Sequence, residues 1–195
     1  MNFLAHIYLS GDNEMLKIGN FMADSIKGNN YLEYTGDLQK GILLHRAIDS
    51  FTDTNEIYRK SKHRLHKKYG HYSGIIMDVV YDHYLAKNWN RFSTENLSDF
   101  VLRFYQSISK NSSLLPVKTQ RLVPFMIDQN WLESYVTLDG LQTILWQMSR
   151  RINYTIDMSE AISEVQEFYL EFESEFFEFM VEIEKMCKEK LKELG

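Results

Sequence analysis

Histidine and aspartate recur at the spacing of one helical turn in the first third of the chain. His45, Asp49 and Asp53 are each four residues apart. Four residues rotate an α-helix by about 400°, so successive members are offset by only about 40° and share one face. Imidazole and carboxylate groups bind metal ions and transfer protons. The spacing therefore predicts three such groups facing one way.

A second group of the same residue types follows later in the chain. Asp78 and Asp82 are again four residues apart, and His83 comes directly after them. Asp24 and His6 lie in two further apolar segments nearer the N-terminus. Carboxylates beside apolar residues are costly to bury unless a cation or hydrogen bonds satisfy them. The joint occurrence of these residues indicates a site to which several segments contribute.

A mixed set of carboxylates and imidazoles is typical of a hydrolytic centre with one or two Mn, Fe, Mg or Zn ions. Each residue also has a structural alternative. His6 can be a hydrogen-bonded core histidine, Asp53 can cap a following helix, and Asp49 can pair with Arg46. The metal centre is favoured because these residues together exceed what structural pairing requires.

The elements that must position these residues are helices. The chain has only two Pro and nine Gly among 195 residues, which leaves few obligatory breaks. Apolar residues recur at helical spacing over 38–51 and 75–85. Capping and periodicity predict further helices near 13–27, 54–69, 94–109 (capped by Ser93), 119–132 and 138–149. We therefore expect an all-α, multi-helix bundle that forms one domain over residues 1–195.

The last segment, 159–195, has a heptad stripe of apolar residues and holds eleven Glu and four Lys. The stripe consists of Ile162, Val165, Tyr169, Phe172, Phe176, Phe179 and Ile183. One interpretation is a long amphipathic helix packed on the metal-site bundle formed by residues 1–158. The other is self-association through an exposed stripe.

Composition excludes several classes of protein. The net charge of −5 argues against nucleic acid as the partner. Cys187 is the single cysteine, so an intrachain disulfide is excluded. No apolar run approaches the roughly 18 residues of a membrane span, so we expect a cytoplasmic protein that does not bind membranes.

Residues 58–70 contain six Lys or Arg and two His without an acid, which is either a solvated face or a surface for an anionic partner.

Five segments contain the His and Asp residues described above or follow them in the chain: MNFLAHIYLS, IGNFMADSIKG, GILLHRAIDSFTD, IIMDVVYDHYLAKNW and QNWLESYVTLDGLQTILWQMSRR. In this order they resemble the acyl carrier protein phosphodiesterases, also called acyl carrier protein hydrolases. The resemblance covers residues 1 to about 151. The resemblance implies an all-helical protein similar to HD-type metal-dependent phosphohydrolases. It also implies hydrolysis of the phosphodiester that joins 4′-phosphopantetheine to a serine of holo-acyl carrier protein, with a divalent ion that is typically Mn²⁺, with Mg²⁺ or Fe²⁺ as alternatives.

The residues fit roles in that chemistry. The candidates for holding the ion are Asp24, His45, Asp49, Asp78 and Asp82. His83 or His6 would donate a proton to the departing serine oxygen, and Arg46 would clamp the phosphate. The basic segment would dock the acidic carrier protein through Lys62, Arg64 and Lys67.

Two other functions remain open at this point. One is an HD-like phosphohydrolase that acts on a nucleotide or on another small phosphodiester. The other is a non-catalytic helical adaptor for an acidic partner, in which the carboxylates form structural salt bridges.

Overall fold

The chain folds as a bundle of α-helices, which confirms the predicted fold class. The computed structural model describes residues 1–151 and 156–195, and no strand occurs among them. In this part of the chain, no helix is long and apolar enough to cross a membrane. The α-helices are α1 (Phe3–Leu9), α2 (Glu14–Met22), α3 (Gly36–Thr54), α4 (Glu56–Tyr69), α5 (Tyr72–Lys87), α6 (Leu97–Lys110), α7 (Val117–Asp128), α8 (Trp131–Ser134), α9 (Leu138–Arg151), α10 (Ile162–Glu167) and α11 (Tyr169–Glu193).

Helices α2 and α3 cross so closely that only glycine fits at the contact. A Cβ atom added to Gly19 would collide with the carbonyl oxygen of Leu38, and one added to Gly41 would collide with the carbonyl oxygen of Leu16. Glycine permits this approach because it has no side chain. The crossing brings α2 and α3, which carry most of the candidate site, into direct backbone contact.

We expect Gly19→Ala to destabilise the protein by about 2–4 kcal/mol, because the added methyl group meets backbone that cannot rotate away. Urea unfolding measures the change. Gly74→Ala is a matched control on α5, where the nearest atoms to an added Cβ are Lys62 Cδ at 3.7 Å and the Tyr58 hydroxyl at 4.0 Å. That variant should be as stable as the wild type or slightly more stable. Equal stability of all three proteins would contradict the close crossing.

Helix α5 anchors the start of α1 through a buried carboxylate. Asp82, with 0% of its surface exposed, accepts hydrogen bonds from the backbone N–H groups of Asn2 (3.2 Å), Leu4 (2.7 Å) and Ala5 (3.3 Å). The N–H groups of a first helical turn have no partner within their own helix. Burial raises the pKa of Asp82 to about 7, against the opposing effects of the Met1 amino group and these hydrogen bonds.

The C-terminal segment packs on the bundle, and α11 contacts α3, α4 and α5. The stripe residues with no exposed surface are Val165, Phe172, Phe176, Phe179 and Ile183. The segment is not one helix, because the backbone at Phe168 leaves helical geometry between α10 and α11. The stripe therefore lies inside the protein rather than on its surface.

Several helix boundaries differ from the predicted ones for local reasons. Helix α3 continues through Asp53 to Thr54, so Asp53 does not cap α4. Asn55 caps α4 instead, because its side chain accepts hydrogen bonds from the backbone N–H groups of Ile57 and Tyr58 at the start of α4. Helix α7 ends at Asp128 because Asn130 adopts a positive φ of 45°. Ser93 accepts a hydrogen bond from a loop N–H rather than capping α6, which begins at Leu97.

Candidate active site

A cleft of about 400 Å³ opens where α1, α2, α3 and α5 meet. Its polar walls are formed by Asn2, His6, Asn20, Asp24, His45, Asp49, Thr52, Asp53 and Asp78. Apolar side chains of Phe3, Phe21, Ile75 and Met148 complete the walls. The structure thus brings together residues from five helices, including Met148 of α9, and from the 3-10 turn Ala23–Ser25 that follows α2.

Two histidines stack at the base of this cleft. The rings of His6 and His45 lie 4.1 Å apart between centroids, with an interplanar angle of 24°. The amide oxygen of Asn20 lies 2.8 Å from His6 Nδ1 and 3.1 Å from His45 Nδ1. The amide nitrogen of Asn20 donates to the His6 carbonyl oxygen and to Ser10 Oγ.

This hydrogen-bond network assigns the protons of both histidines. Because the Asn20 nitrogen donates to a carbonyl oxygen, its amide oxygen must be the acceptor for the two rings. Both Nδ1 atoms therefore carry a proton, and each Nε2 atom is turned toward the carboxylates. A histidine whose Nδ1–H is held in this way presents its other nitrogen as a metal ligand.

Two carboxylates face these Nε2 atoms. Asp49 lies 3.3 Å from His6 Nε2 and 3.1 Å from His45 Nε2, and Asp24 lies 3.3 Å from His45 Nε2. One ligand atom from each of His6, His45 and Asp49 lies within 4.8 Å of the others. Sequence spacing predicted that His45 and Asp49 share a face, and the structure adds His6 and Asp24 from other elements.

The electrostatics of the cluster favour positive charge between the rings and the carboxylates. Burial alone would lower the pKa of His45, but hydrogen bonds with Asp24 and Asp49 outweigh it and raise this pKa to about 9. Burial would raise the pKa of Asp49, yet hydrogen bonds with His45 and His6 hold it well below its usual range. Burial and the neighbouring His45 lower the pKa of His6. The cluster thus needs a proton or a cation to balance it.

The remaining predicted metal ligands have different surroundings. Asp78 lines the cleft, where its Oδ1 accepts from the Met1 amino group at 2.7 Å and from the Tyr58 hydroxyl at 2.7 Å. Asp53, which was not among the predicted ligands, is exposed and also lines the cleft. The placement of Asp82 corrects its assignment as a ligand, because its oxygens are taken up by the backbone of α1.

The structure also corrects two predicted catalytic residues. His83 is buried outside the cleft, where Nδ1 meets the Tyr135 carbonyl oxygen at 2.7 Å and Nε2 meets the Tyr169 hydroxyl at 2.8 Å. Arg46 donates to the carbonyl oxygens of Ile26 and Gly28, so its guanidinium holds a loop rather than facing the cleft.

The basic helix α4 is only partly free for a partner. Arg64 forms two hydrogen bonds, of 2.6 and 2.7 Å, with the buried Glu175 of α11, which corrects its assignment to a docking surface. Lys62 is half-buried over the ring of Tyr58, and Lys67 is exposed. Docking through Lys62 and Lys67 stays a prediction.

Asn20 was missed by sequence reasoning, which considered titratable side chains. A signal was present, because Asn20 lies four residues before Asp24, and the helix predicted near 13–27 would place both on one face. The same applies to Thr52, which lies between Asp49 and Asp53 and also lines the cleft.

The helical bundle and its histidine and aspartate cleft have the donor groups of a hydrolytic enzyme. A family model described as acyl carrier protein phosphodiesterase matches residues 1–183. The chain belongs to this family and is a phosphodiesterase, which excludes the non-catalytic adaptor.

Curated relatives with that name are similar along nearly their whole length. The relative from Photorhabdus laumondii is 32% identical over 180 residues, which cover 92% of this chain and 91% of the relative. The relatives from Yersinia enterocolitica and Pectobacterium atrosepticum are each 29% identical, and cover 92% and 96% of this chain and 93% and 98% of their own lengths. No solved structure matches the chain, so its likeness to HD-type phosphohydrolases stays a prediction.

Proposed function

We propose that this protein hydrolyses the phosphodiester between 4′-phosphopantetheine and a serine of holo-acyl carrier protein. The products would be apo-acyl carrier protein and 4′-phosphopantetheine. Family membership supports the reaction type, and the names of the relatives support acyl carrier protein as the substrate. The observation that carries the proposal is the composition of the cleft, which combines the histidine and aspartate cluster with hydrogen-bond donors that have no partner among the described residues.

Those donors fit an anionic ligand. The amide nitrogen of Asn2 and the hydroxyl of Thr52 are buried and have no hydrogen-bond partner in the described part of the chain. The Asn2 amide oxygen accepts from the Phe3 N–H, which fixes the amide nitrogen as the free group. Both residues line the cleft. A buried donor without a partner costs about 1–3 kcal/mol, and phosphate oxygens would supply the acceptors.

A divalent cation fits the cluster, and we propose His6, His45 and Asp49 as its ligands, with Asp24 beside them. The observation behind this assignment is the orientation of the two histidines, whose Nε2 atoms face carboxylates while Asn20 holds their Nδ1 protons. When bound, such an ion neutralises charge on the phosphate and makes water a stronger nucleophile at neutral pH. Mn²⁺ is the ion that we propose first, with Mg²⁺ or Fe²⁺ as alternatives.

The chain's own residues then have separate roles. Asn20 keeps both imidazoles in the tautomer that leaves Nε2 free. Asn2 and Thr52 bind and orient the phosphate by donating hydrogen bonds to its oxygens. The apolar side chains at the cleft wall, Phe3 and Ile75, exclude water from one side of the reacting group. His6 belongs to the ligand set here rather than acting as a proton donor.

Incubation with holo-acyl carrier protein tests this proposal directly. We expect protein supplied with Mn²⁺ to remove the prosthetic group, seen by intact mass as conversion of the holo to the apo form. Chelation with EDTA should abolish the conversion, and added Mn²⁺ should restore it. Nucleotides and the small phosphodiester bis(p-nitrophenyl) phosphate are tested as substrates in parallel. Hydrolysis of these compounds with holo-acyl carrier protein left intact would favour the small-substrate alternative.

A further inference from the structure

A groove of about 540 Å³ lies against α7 and shares Phe3 and Phe21 with the cleft, but neither histidine lines it. Its lining combines four apolar side chains with two cations, one carboxylate and two hydroxyl groups. The apolar side chains are Phe3, Phe21, Leu122 and Phe125, and the cations are Lys118 and Arg121.

The groove adjoins the cleft. Phe3, Phe21 and Asp24 line both cavities, so their side chains form the boundary between them. The hydroxyl of Thr119 on α7 donates to Ser25 Oγ at 2.8 Å, and Ser25 belongs to the same 3-10 turn as Asp24. Helix α7 is thereby fixed to the segment that carries one of the cleft carboxylates.

The groove combines an exposed aromatic side chain with two cations that form no ion pair among the described residues. Phe125 is 62% exposed, and in the described residues it is the only phenylalanine among the large exposed hydrophobic side chains. Lys118 and Arg121 are exposed and form no ion pair within the described part of the chain. Exposed aromatic surface next to a reactive cleft is typical of ligand binding.

A phosphodiester substrate needs such a groove. Its two ester groups leave the phosphorus in different directions, so a cleft that holds the phosphate must provide one path for each. One group is the serine on a folded protein, which stays outside because of its bulk. The other is a linear, flexible and uncharged pantetheine chain, which can lie along an apolar surface.

We infer that the groove formed by Phe3, Phe21, Leu122 and Phe125 binds the pantetheine arm of the carrier protein while its phosphate occupies the histidine and aspartate cleft. This inference rests on the proposed function and adds the place where the substrate's organic arm is recognised. Lys118 and Arg121 at the rim complement the negative charge of the carrier protein. The groove therefore distinguishes the holo form of the carrier protein from the apo form.

Equilibrium binding tests the inference without turnover. The affinities of the wild type for holo- and apo-acyl carrier protein are measured by calorimetry in EDTA. We expect the holo form to bind more tightly. Phe125→Ala and Leu122→Ala should each weaken holo binding by about five- to tenfold, since each removes part of an apolar contact. Binding of the apo form, which has no arm, should be unchanged.

Leu102→Ala is the matched control, because Leu102 is an exposed leucine on α6, 56% accessible and outside the groove. It should leave both affinities unchanged. If the wild type prefers the holo form but the groove variants bind the holo form as tightly as the wild type does, the arm binds elsewhere. The inference is then wrong, while the proposed function stands. If the wild type binds both forms equally, the inference is also wrong. Failure of the proposed function itself is read separately, from unchanged mass of holo-acyl carrier protein with Mn²⁺.

Discussion

Asp49→Asn should reduce kcat/KM for holo-acyl carrier protein by about a thousandfold or more, on the scale of losing a central charged group from an active site. Asp49 is the carboxylate that contacts the Nε2 atoms of both His6 and His45. The amide has the same shape but no negative charge, so it binds a divalent cation weakly. Steady-state kinetics measure the loss, and calorimetric titration with Mn²⁺ alone should show weakened binding.

The fold should survive this substitution, because Asp49 is half exposed and the amide can keep hydrogen bonds to the rings. Asp37→Asn is the matched control on the same helix, since Asp37 is also half exposed, lies in the first turn of α3 outside the cleft and accepts a hydrogen bond from Asn13. It should retain full activity. More than a tenth of wild-type activity in folded Asp49→Asn protein would show that the cluster is not the reaction site.

The part of the site that could be predicted from sequence is the part that one helix determines. His45 and Asp49 are four residues apart on α3, and helix geometry alone places them on one face. Their meeting with His6 depends on how α1 lies against α3, which no local pattern contains. The glycines at 19 and 41 were available as a sign of close helix approach, but a glycine by itself does not identify its partner.

Contacts with neighbouring elements also explain why some predicted roles were wrong. Asp78 and Asp82 share a face of α5 as predicted, yet the start of α1 lies over Asp82 and takes up its oxygens. Arg46 follows His45 by one residue, which rotates it by about 100° and aims it at the loop beyond α2. His83 is likewise one position from Asp82 and meets α11 and the segment after α8. A residue's partner depends on the neighbouring element, and spacing within its own helix does not specify that.

Truncation before Ser159 should give aggregating or molten protein without activity. The segment that is lost buries Val165, Phe172, Phe176, Phe179 and Ile183 completely. Each large apolar side chain contributes roughly 2 kcal/mol when buried, so their sum is comparable to the 5–15 kcal/mol that separates folded from unfolded states in typical proteins. Light scattering, circular dichroism and the holo-acyl carrier protein assay measure the outcome.

The truncation also removes Glu175, which holds Arg64 against α11 through two short hydrogen bonds. A chain ending at Cys187 is the control, because residues 188–195 are exposed or half-buried and follow the last buried side chain. That shorter chain should stay folded and active. Soluble, active protein comprising residues 1–158 would show that the C-terminal segment is an appendage. A full-length dimer that becomes a folded monomer on truncation would favour self-association through this segment. In that case the aromatic stripe of the segment would contact a second copy of the chain instead of α3, α4 and α5.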